Sequence, residues 1–161
     1  MKRLFIDLER CRACGDCRVP CSNREHPAND GVMRLRETAE FAVMCKRCAD
    51  APCVNVCPAE ALEKTADGTP FRHGALCVSC ASCCFACPFG VILQEYVHHP
   101  ASRCDFCEGR LVGDEPPVCT CGCPKGAIRY GEFREDPAGL RIAVGNRLVV
   151  VLRPWNPGEA P

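Results

Sequence analysis

The sequence predicts an α+β fold built around four metal-binding cysteine loops and closed by a C-terminal β-hairpin. Cysteine supplies 18 of the 161 residues, the density of disulfide-rich or metal-loaded chains. Sixteen of these cysteines fall into four sets of four, with short β-prone runs between and after them. Aromatic residues make up only 6 %, so an ordinary apolar core would be thin and ligation has to share in holding the fold.

Leu4–Leu8 reads as a short strand leading into the first set, and Ile128–Tyr130, after the last set, as a strand able to pair with it. Ser22–Val43 reads as a connecting stretch, with a turn at Asn29-Asp30-Gly31 and a strand at Arg34-Leu35-Arg36. Leu62–Lys64 and Thr69–Phe71 flank the Asp67-Gly68 turn as a hairpin. Glu108–Val118, with Gly113 and Pro116-Pro117, reads as a loop. In the tail, Leu140–Val144 and Arg147–Leu152 flank Gly145-Asn146, a two-residue hairpin turn. The run Leu148–Leu152 is apolar on both faces and is expected to be buried. Two readings stay open: the hairpin covers its own half of the molecule, or it is an edge strand or apolar lid that docks a neighbouring subunit, anchored by Pro154-Trp155-Asn156-Pro157.

The first set is Cys11, Cys14, Cys17 and Cys21, and the second is Cys45, Cys48, Cys53 and Cys57. The third is Cys77, Cys80, Cys83 and Cys87, and the fourth is Cys104, Cys107, Cys119 and Cys123. After three of the sets a phrase recurs: Pro58-Ala59-Glu60-Ala61-Leu62, Pro88-Phe89-Gly90-Val91-Ile92 and Pro124-Lys125-Gly126-Ala127-Ile128. Duplication of one unit is the economical origin. Three thiolates at i, i+3 and i+6 on a tight loop can reach three corners of one cubane iron–sulfur cluster. A fourth cysteine followed by Pro matches the bacterial two-cluster pattern, in which that cysteine ligates the other cluster. Crossed ligation staples two loops together and couples chelation to folding. Zinc ribbons use two CxxC pairs and leave the Cys-Pro unexplained. A disulfide scaffold is disfavoured by the expected reducing compartment. Cys84 and Cys121 lie off the spacing and are expected to be non-ligands packed as small hydrophobes, the rival reading being that Cys84 replaces Cys83. No role is assigned to His26, His73, His98 or His99.

Charge and targeting narrow the function. Twenty basic side chains balance twenty acidic ones, which argues against nucleic acid. No apolar run reaches the roughly 18 residues of a membrane span, and the apolar stretch near Met1 is too short for a signal-peptide core, so the expected location is cytoplasmic. No nucleophile–base pair, GxGxxG, P-loop or flavin motif is present. The chain is therefore expected to be a non-catalytic electron carrier. A cubane held by four thiolates has no open iron site and brings roughly −2 in its oxidised form. Arg12, Arg18, Arg47 and Arg103, within or beside the sets, could compensate that charge.

The segments Cys45–Pro58, Cys77–Gly90 and Arg103–Leu111, the last leading to Cys119 and Cys123-Pro124, resemble the four-cluster ferredoxin-type electron-transfer subunits. Such subunits accompany molybdenum and tungsten oxidoreductases, formate-linked hydrogenases and carbon monoxide dehydrogenase. The resemblance implies four [4Fe-4S] clusters. Cys11, Cys14 and Cys17 would hold one with Cys123, and Cys45, Cys48 and Cys53 another with Cys87. Cys77, Cys80 and Cys83 would hold a third with Cys57, and Cys104, Cys107 and Cys119 a fourth with Cys21. Ser22, where Pro often follows the first set, and Cys121 depart from the pattern without removing a ligand.

These pairings imply two pseudo-symmetric ferredoxin-like halves, one inserted in the other. Residues 1–43 with 96–131 form the outer half, residues 44–95 the inner half, and residues 132–161 the tail. The implied partner is a catalytic oxidoreductase subunit. A soluble tungsten or molybdenum pterin aldehyde oxidoreductase with a flavin subunit comes first, self-assembly into a filament being a further option. A carbon monoxide dehydrogenase or a formate or hydrogenase complex is the alternative. A metal-loaded interaction module without redox turnover is the alternative from another class.

Overall fold

The structure is a computed structural model that describes residues 1–12, 14, 19–21, 30–98 and 102–152. The chain opens with β1 (Arg3–Asp7), which runs directly into α1 (Leu8–Arg12). Leu4, Phe5 and Ile6 are all buried, the mark of a strand covered on both faces.

The next element is α2 (Gly31–Met44). It replaces the strand expected at Arg34-Leu35-Arg36, and the reason is local. Asp30 caps its N-terminus by accepting the Met33 N–H at 3.1 Å, satisfying a donor that the first turn leaves open. Val32, Leu35 and Ala39 then recur at helical spacing on one buried face. The three-residue alternation was a fragment of that longer period.

Short elements follow: α3 (Pro52–Asn55), β2 (Leu62–Lys64), β3 (Pro70–Arg72), α4 (Ser82–Ala86), α5 (Gln94–Val97) and α6 (Val118–Gly122). Strands β2 and β3 pair antiparallel with Leu62 opposite Arg72. The second strand thus begins one residue later than Thr69, whose hydroxyl and carbonyl are engaged with Thr65 and Asp67 in the turn.

The last three strands are β4 (Ile128–Gly131), β5 (Arg141–Val144) and β6 (Leu148–Val151). They join β1 in a four-stranded sheet of order β4-β1-β6-β5. β4 is antiparallel to β1, with Ile6 opposite Ile128. β6 runs parallel to β1, with Ile6 opposite Val150, and β5 is antiparallel to β6. The apolar run Leu148–Val151 is therefore an inner strand, and the sheet edges are β4 and β5. This corrects the edge-strand reading of that run: it is apolar on both faces because both faces are covered. On one face Leu4, Ile6, Ile128, Leu148 and Val150 pack with Leu8, Cys11 and the α2 residues Val32, Leu35 and Ala39. On the other, Phe5, Val149 and Val151 meet Phe133. Pro154-Trp155-Asn156-Pro157 lies outside the described residues.

A separate core gathers Phe41, Leu62, Cys83, Val91, Ile92 and Val97. Because α2 sends Val32, Leu35 and Ala39 to the first core and Phe41 to the second, the stretch read as a connector is the element shared by both. Its remaining face carries buried charge. Glu37 receives two bonds from the Arg72 guanidinium, at 2.7 and 3.0 Å, and one from Arg34 at 2.5 Å. Glu40 accepts from Arg12 at 2.9 Å, and Arg36 donates to Glu95 at 2.6 Å.

Candidate metal centres

Each recurrent Cys-Pro phrase makes the same turn. The residue third after the cysteine is left-handed in all three, with φ of 48° at Glu60, 61° at Gly90 and 60° at Gly126. Its N–H returns to the cysteine carbonyl: Glu60 to Cys57 at 3.2 Å, Gly90 to Cys87 at 3.1 Å and Gly126 to Cys123 at 3.1 Å. The two apolar residues that follow are buried in every copy, namely Ala61 and Leu62, Val91 and Ile92, Ala127 and Ile128. The repeated phrase is thus an anchor: the turn frees the cysteine side chain while the next two residues pin the loop to a core.

The loops between cysteines show a second recurrence. Arg47, Ser79 and Phe106, each just before the second cysteine of its set, have φ of 51°, 58° and 56°. Ala51 and Ala81, each two residues before the next cysteine, have φ of 39° and 60°. A left-handed conformation costs a side-chain-bearing residue roughly 1–2 kcal/mol and persists where its surroundings over-determine it. Alternating hands turn successive N–H groups to one side, the concavity that accommodates anions and many iron–sulfur clusters. The donor set fits an anionic cluster.

The cysteines assemble across sets. One recess is lined by Cys45, Cys48, Cys53 and Cys87, walled by Pro52, Val54, Pro88 and Val91. A second is lined by Cys57, Cys77, Cys80 and Cys83, walled by Ala61, Leu62, Arg72 and Val97. In a third group, burial pushes the Cys119 thiol up to about 12, with Cys104, Cys107 and Cys21 adding to the shift. Burial likewise raises Cys104 to about 11, with contributions from nearby Cys21 and Cys107. Cys21 Sγ sits so close to α2 that a Cβ on Gly31 would lie 2.5 Å from it. Cys11 is buried in the sheet core, with Cys123 packed against the same core. The Cys14 N–H donates to the Cys11 carbonyl at 3.2 Å. Cys17 lies outside the described residues.

Short helices aim several of these thiols. Cys53 belongs to α3, Cys83 to α4 and Cys119 to α6. Burial raises Cys53, helped by Cys87 and Cys45, and takes Cys83 to about 12, helped by Cys84 and Cys77. Cys80 is exposed and its thiol is lowered by the Ser82 hydroxyl. Thiols held neutral by burial release their protons when they bind metal.

The two off-pattern cysteines differ from each other. Cys84 is half-buried on α4 and packs on the second core, while Cys83 lines the recess. Cys121 is exposed on α6, 3.9 Å from the Thr120 hydroxyl. That corrects its expected burial: a single-turn helix that aims Cys119 inward turns Cys121, two positions on, outward.

Of the four arginines expected to compensate clusters, Arg12 is bound by Glu40 and the Arg47 side chain by the Ala42 carbonyl, Arg103 is exposed, and Arg18 lies outside the described residues. Arg72 does line a recess, and the sequence reading did not single it out. A signal existed: in Pro70-Phe71-Arg72 the strand period puts Arg72 on the same face as Pro70, and both are buried.

Residues 36–133 match the 4Fe-4S dicluster domain family. The chain is 34 % identical over 146 residues to an uncharacterized ferredoxin-like protein of Escherichia coli (strain K12), covering 83 % of this chain and 65 % of that protein, just under two thirds of its length. It is 29 % identical over 174 residues to one of the subunits of tetrathionate reductase from Salmonella typhimurium (98 % and 69 % of the two chains). It is 36 % identical over 142 residues to one of the subunits of the NADH-dependent phenylglyoxylate dehydrogenase from Aromatoleum evansii (79 % and 29 %).

Proposed function

The chain belongs to the 4Fe-4S dicluster domain family, and from that premise we propose that it is an electron-transfer subunit holding four [4Fe-4S] clusters. The observation that carries this reading is the way the cysteines gather. Two recesses are each lined by four cysteines, three from one set and the fourth from another. The proposed ligand sets are Cys45, Cys48, Cys53 and Cys87; Cys57, Cys77, Cys80 and Cys83; Cys21, Cys104, Cys107 and Cys119; and Cys11, Cys14, Cys17 and Cys123. When bound, such clusters supply one-electron exchange and, with every iron capped by thiolate, no substrate site.

The chain's own residues hold and insulate. Left-handed loops turn backbone donors toward the sulfurs, as in the Ala61 N–H to Cys57 Sγ bond at 3.2 Å and the Arg47 N–H to Cys45 Sγ bond at 3.4 Å. Apolar walls of Pro, Val and Leu keep water from parts of each recess. Two implied halves, residues 1–43 with 96–131 and residues 44–95, would each carry two clusters, and α2 of the outer half contributes side chains to both cores.

The partner in this reading is a catalytic oxidoreductase subunit, in keeping with relatives named as reductase and dehydrogenase subunits. The finer form is a tungsten or molybdenum pterin aldehyde oxidoreductase in the cytoplasm, which passes electrons through this chain to a flavin subunit. Among the described residues no helix is long and apolar enough to cross a membrane. Anoxic purification from the native host through a small tag tests the whole reading. About sixteen iron per chain with matching sulfide, bleached by dithionite and co-purifying with a large pterin enzyme, is the expected result. Zinc without sulfide refutes the electron-transfer role, and a different catalytic enzyme refutes the finer form alone.

A further inference from the structure

The two recesses lined by complete quartets are unequally furnished. At the recess of Cys57, Cys77, Cys80 and Cys83, the Ala61 N–H donates to Cys57 Sγ at 3.2 Å and the Ser82 hydroxyl lies 3.4 Å from Cys80 Sγ. Arg72 forms part of the same wall as Cys77. Its side chain is 2 % exposed, clamped by Glu37 through Nε and Nη2. Nη2 also donates to the Tyr96 carbonyl at 3.0 Å, while Nη1 is buried without a hydrogen-bond partner. Arg34, half-buried, shares Glu37, so two guanidinium groups face one carboxylate and the triad keeps a net positive charge.

The recess of Cys45, Cys48, Cys53 and Cys87 has the Arg47 N–H on Cys45 Sγ at 3.4 Å. Lys46 and Lys64 also line it, yet both are exposed, where water and salt screen their charge.

Taking each recess to hold a cluster, as proposed above, we infer that Arg72 supplies its buried Nη1 donor and charge to the Cys77 side of its recess and makes that cluster the higher-potential member of the pair. Reduction adds one electron to an already anionic cluster and forms no bond. Hydrogen bonds to sulfur, a buried cation and access to water all favour the more negative state. The exposed Cys80 adds the last of these. Electrons shared between the two clusters then rest on the Cys57/Cys77/Cys80/Cys83 side.

The test uses the full chain, reconstituted anoxically, assayed for iron and sulfide, and titrated with dithionite and redox mediators under EPR. The signal lost in Cys80→Ala marks the Arg72 recess, and the signal lost in Cys48→Ala marks its neighbour. The Cys80 signal is expected to have the higher potential in the unmodified chain. Arg72→Gln is expected to disfavour its reduction about tenfold, a one-electron shift of about 59 mV, leaving the Cys48 signal in place, and Arg72→Lys to shift it less. A higher potential for the Cys48 signal overturns the inference, whether or not the Arg72 variants assemble. So does an Arg72→Gln protein with full iron and no selective shift. Failure of the cluster reading is distinguishable: the unmodified chain would then fall short of about sixteen iron, or neither cysteine variant would lose a signal.

Discussion

Val150→Asp tests whether the tail is core or appendage. Val150 is fully buried on β6, opposite Ile6 of β1 and Ile142 of β5. Removing its isopropyl group forfeits about 1.5–3 kcal/mol of burial. A carboxyl placed there has no partner and adds a desolvation cost of about 1–3 kcal/mol even when protonated. The expected loss is roughly 2.5–6 kcal/mol, a large part of the ~5–15 kcal/mol that stabilises a domain. Ile142→Asp is the control, because Ile142 is 41 % exposed on the edge strand β5 and should cost about 0.5 kcal/mol or less. Anoxically purified proteins would be compared by urea titration, followed by circular dichroism and by cluster absorbance. Val150→Asp should lower the midpoint and release iron from the sets joined to the sheet, Cys11 and Cys123 above all. A Val150→Asp protein with the same midpoint and iron content as Ile142→Asp would refute the placement of β6 inside the sheet.

Three further outcomes are expected. Glu37→Gln leaves buried Arg72 and half-buried Arg34 against a neutral partner and should destabilise by about 3–5 kcal/mol, read as a lower denaturation midpoint in the holo chain. Cys83→Ala should lose about four iron per chain while Cys84→Ala keeps them, because both touch the second core but Cys83 alone of the two lines the recess; the opposite iron counts would exchange their roles. Cys83 and Cys119 are raised from 9.0 to about 12 by burial, so the apo fold favours their neutral thiols. Its stability is complete below about 9 and falls as pH rises toward about 12. Cluster assembly runs the other way, because each of these thiols gives up its proton on binding, and it improves as pH rises over the same interval toward about 12. Apo unfolding and iron uptake measured across that range should show opposite slopes.

The boundary between what could be read locally and what could not follows the range of the forces. The cysteine spacing and the Cys-Pro phrases were legible because a turn of a few residues is decided by its own backbone. Glu60, Gly90 and Gly126 repeat one geometry in three places. Leu4–Asp7, Leu62–Lys64 and Ile128–Tyr130 were legible as strands for the same reason, each being a short run decided by its own period, whereas Leu8, read as the end of the first strand, opens α1 instead. The α2 helix was misread at Arg34–Arg36 because three residues are too few to separate a period of 2 from one of 3.6.

The amino-acid sequence by itself determined the four cysteine sets, the turns of the three Cys-Pro phrases and the apolar residues that anchor those phrases. Only the tertiary structure decided that β6 lies parallel to β1, that α2 joins both cores, and that Arg72 stands beside Cys77. The partners in the first two lie tens to more than 100 residues apart in the chain, chosen by which buried faces and charges fit once the loops are closed. Leu148–Val151 announced that it would be covered, but its composition matched either a neighbouring strand or a separate protein chain. Arg72 is the sharper case. A strand pattern can bury an arginine, but only Glu37 arriving from α2 makes that burial tolerable, and no local spacing encodes the arrival.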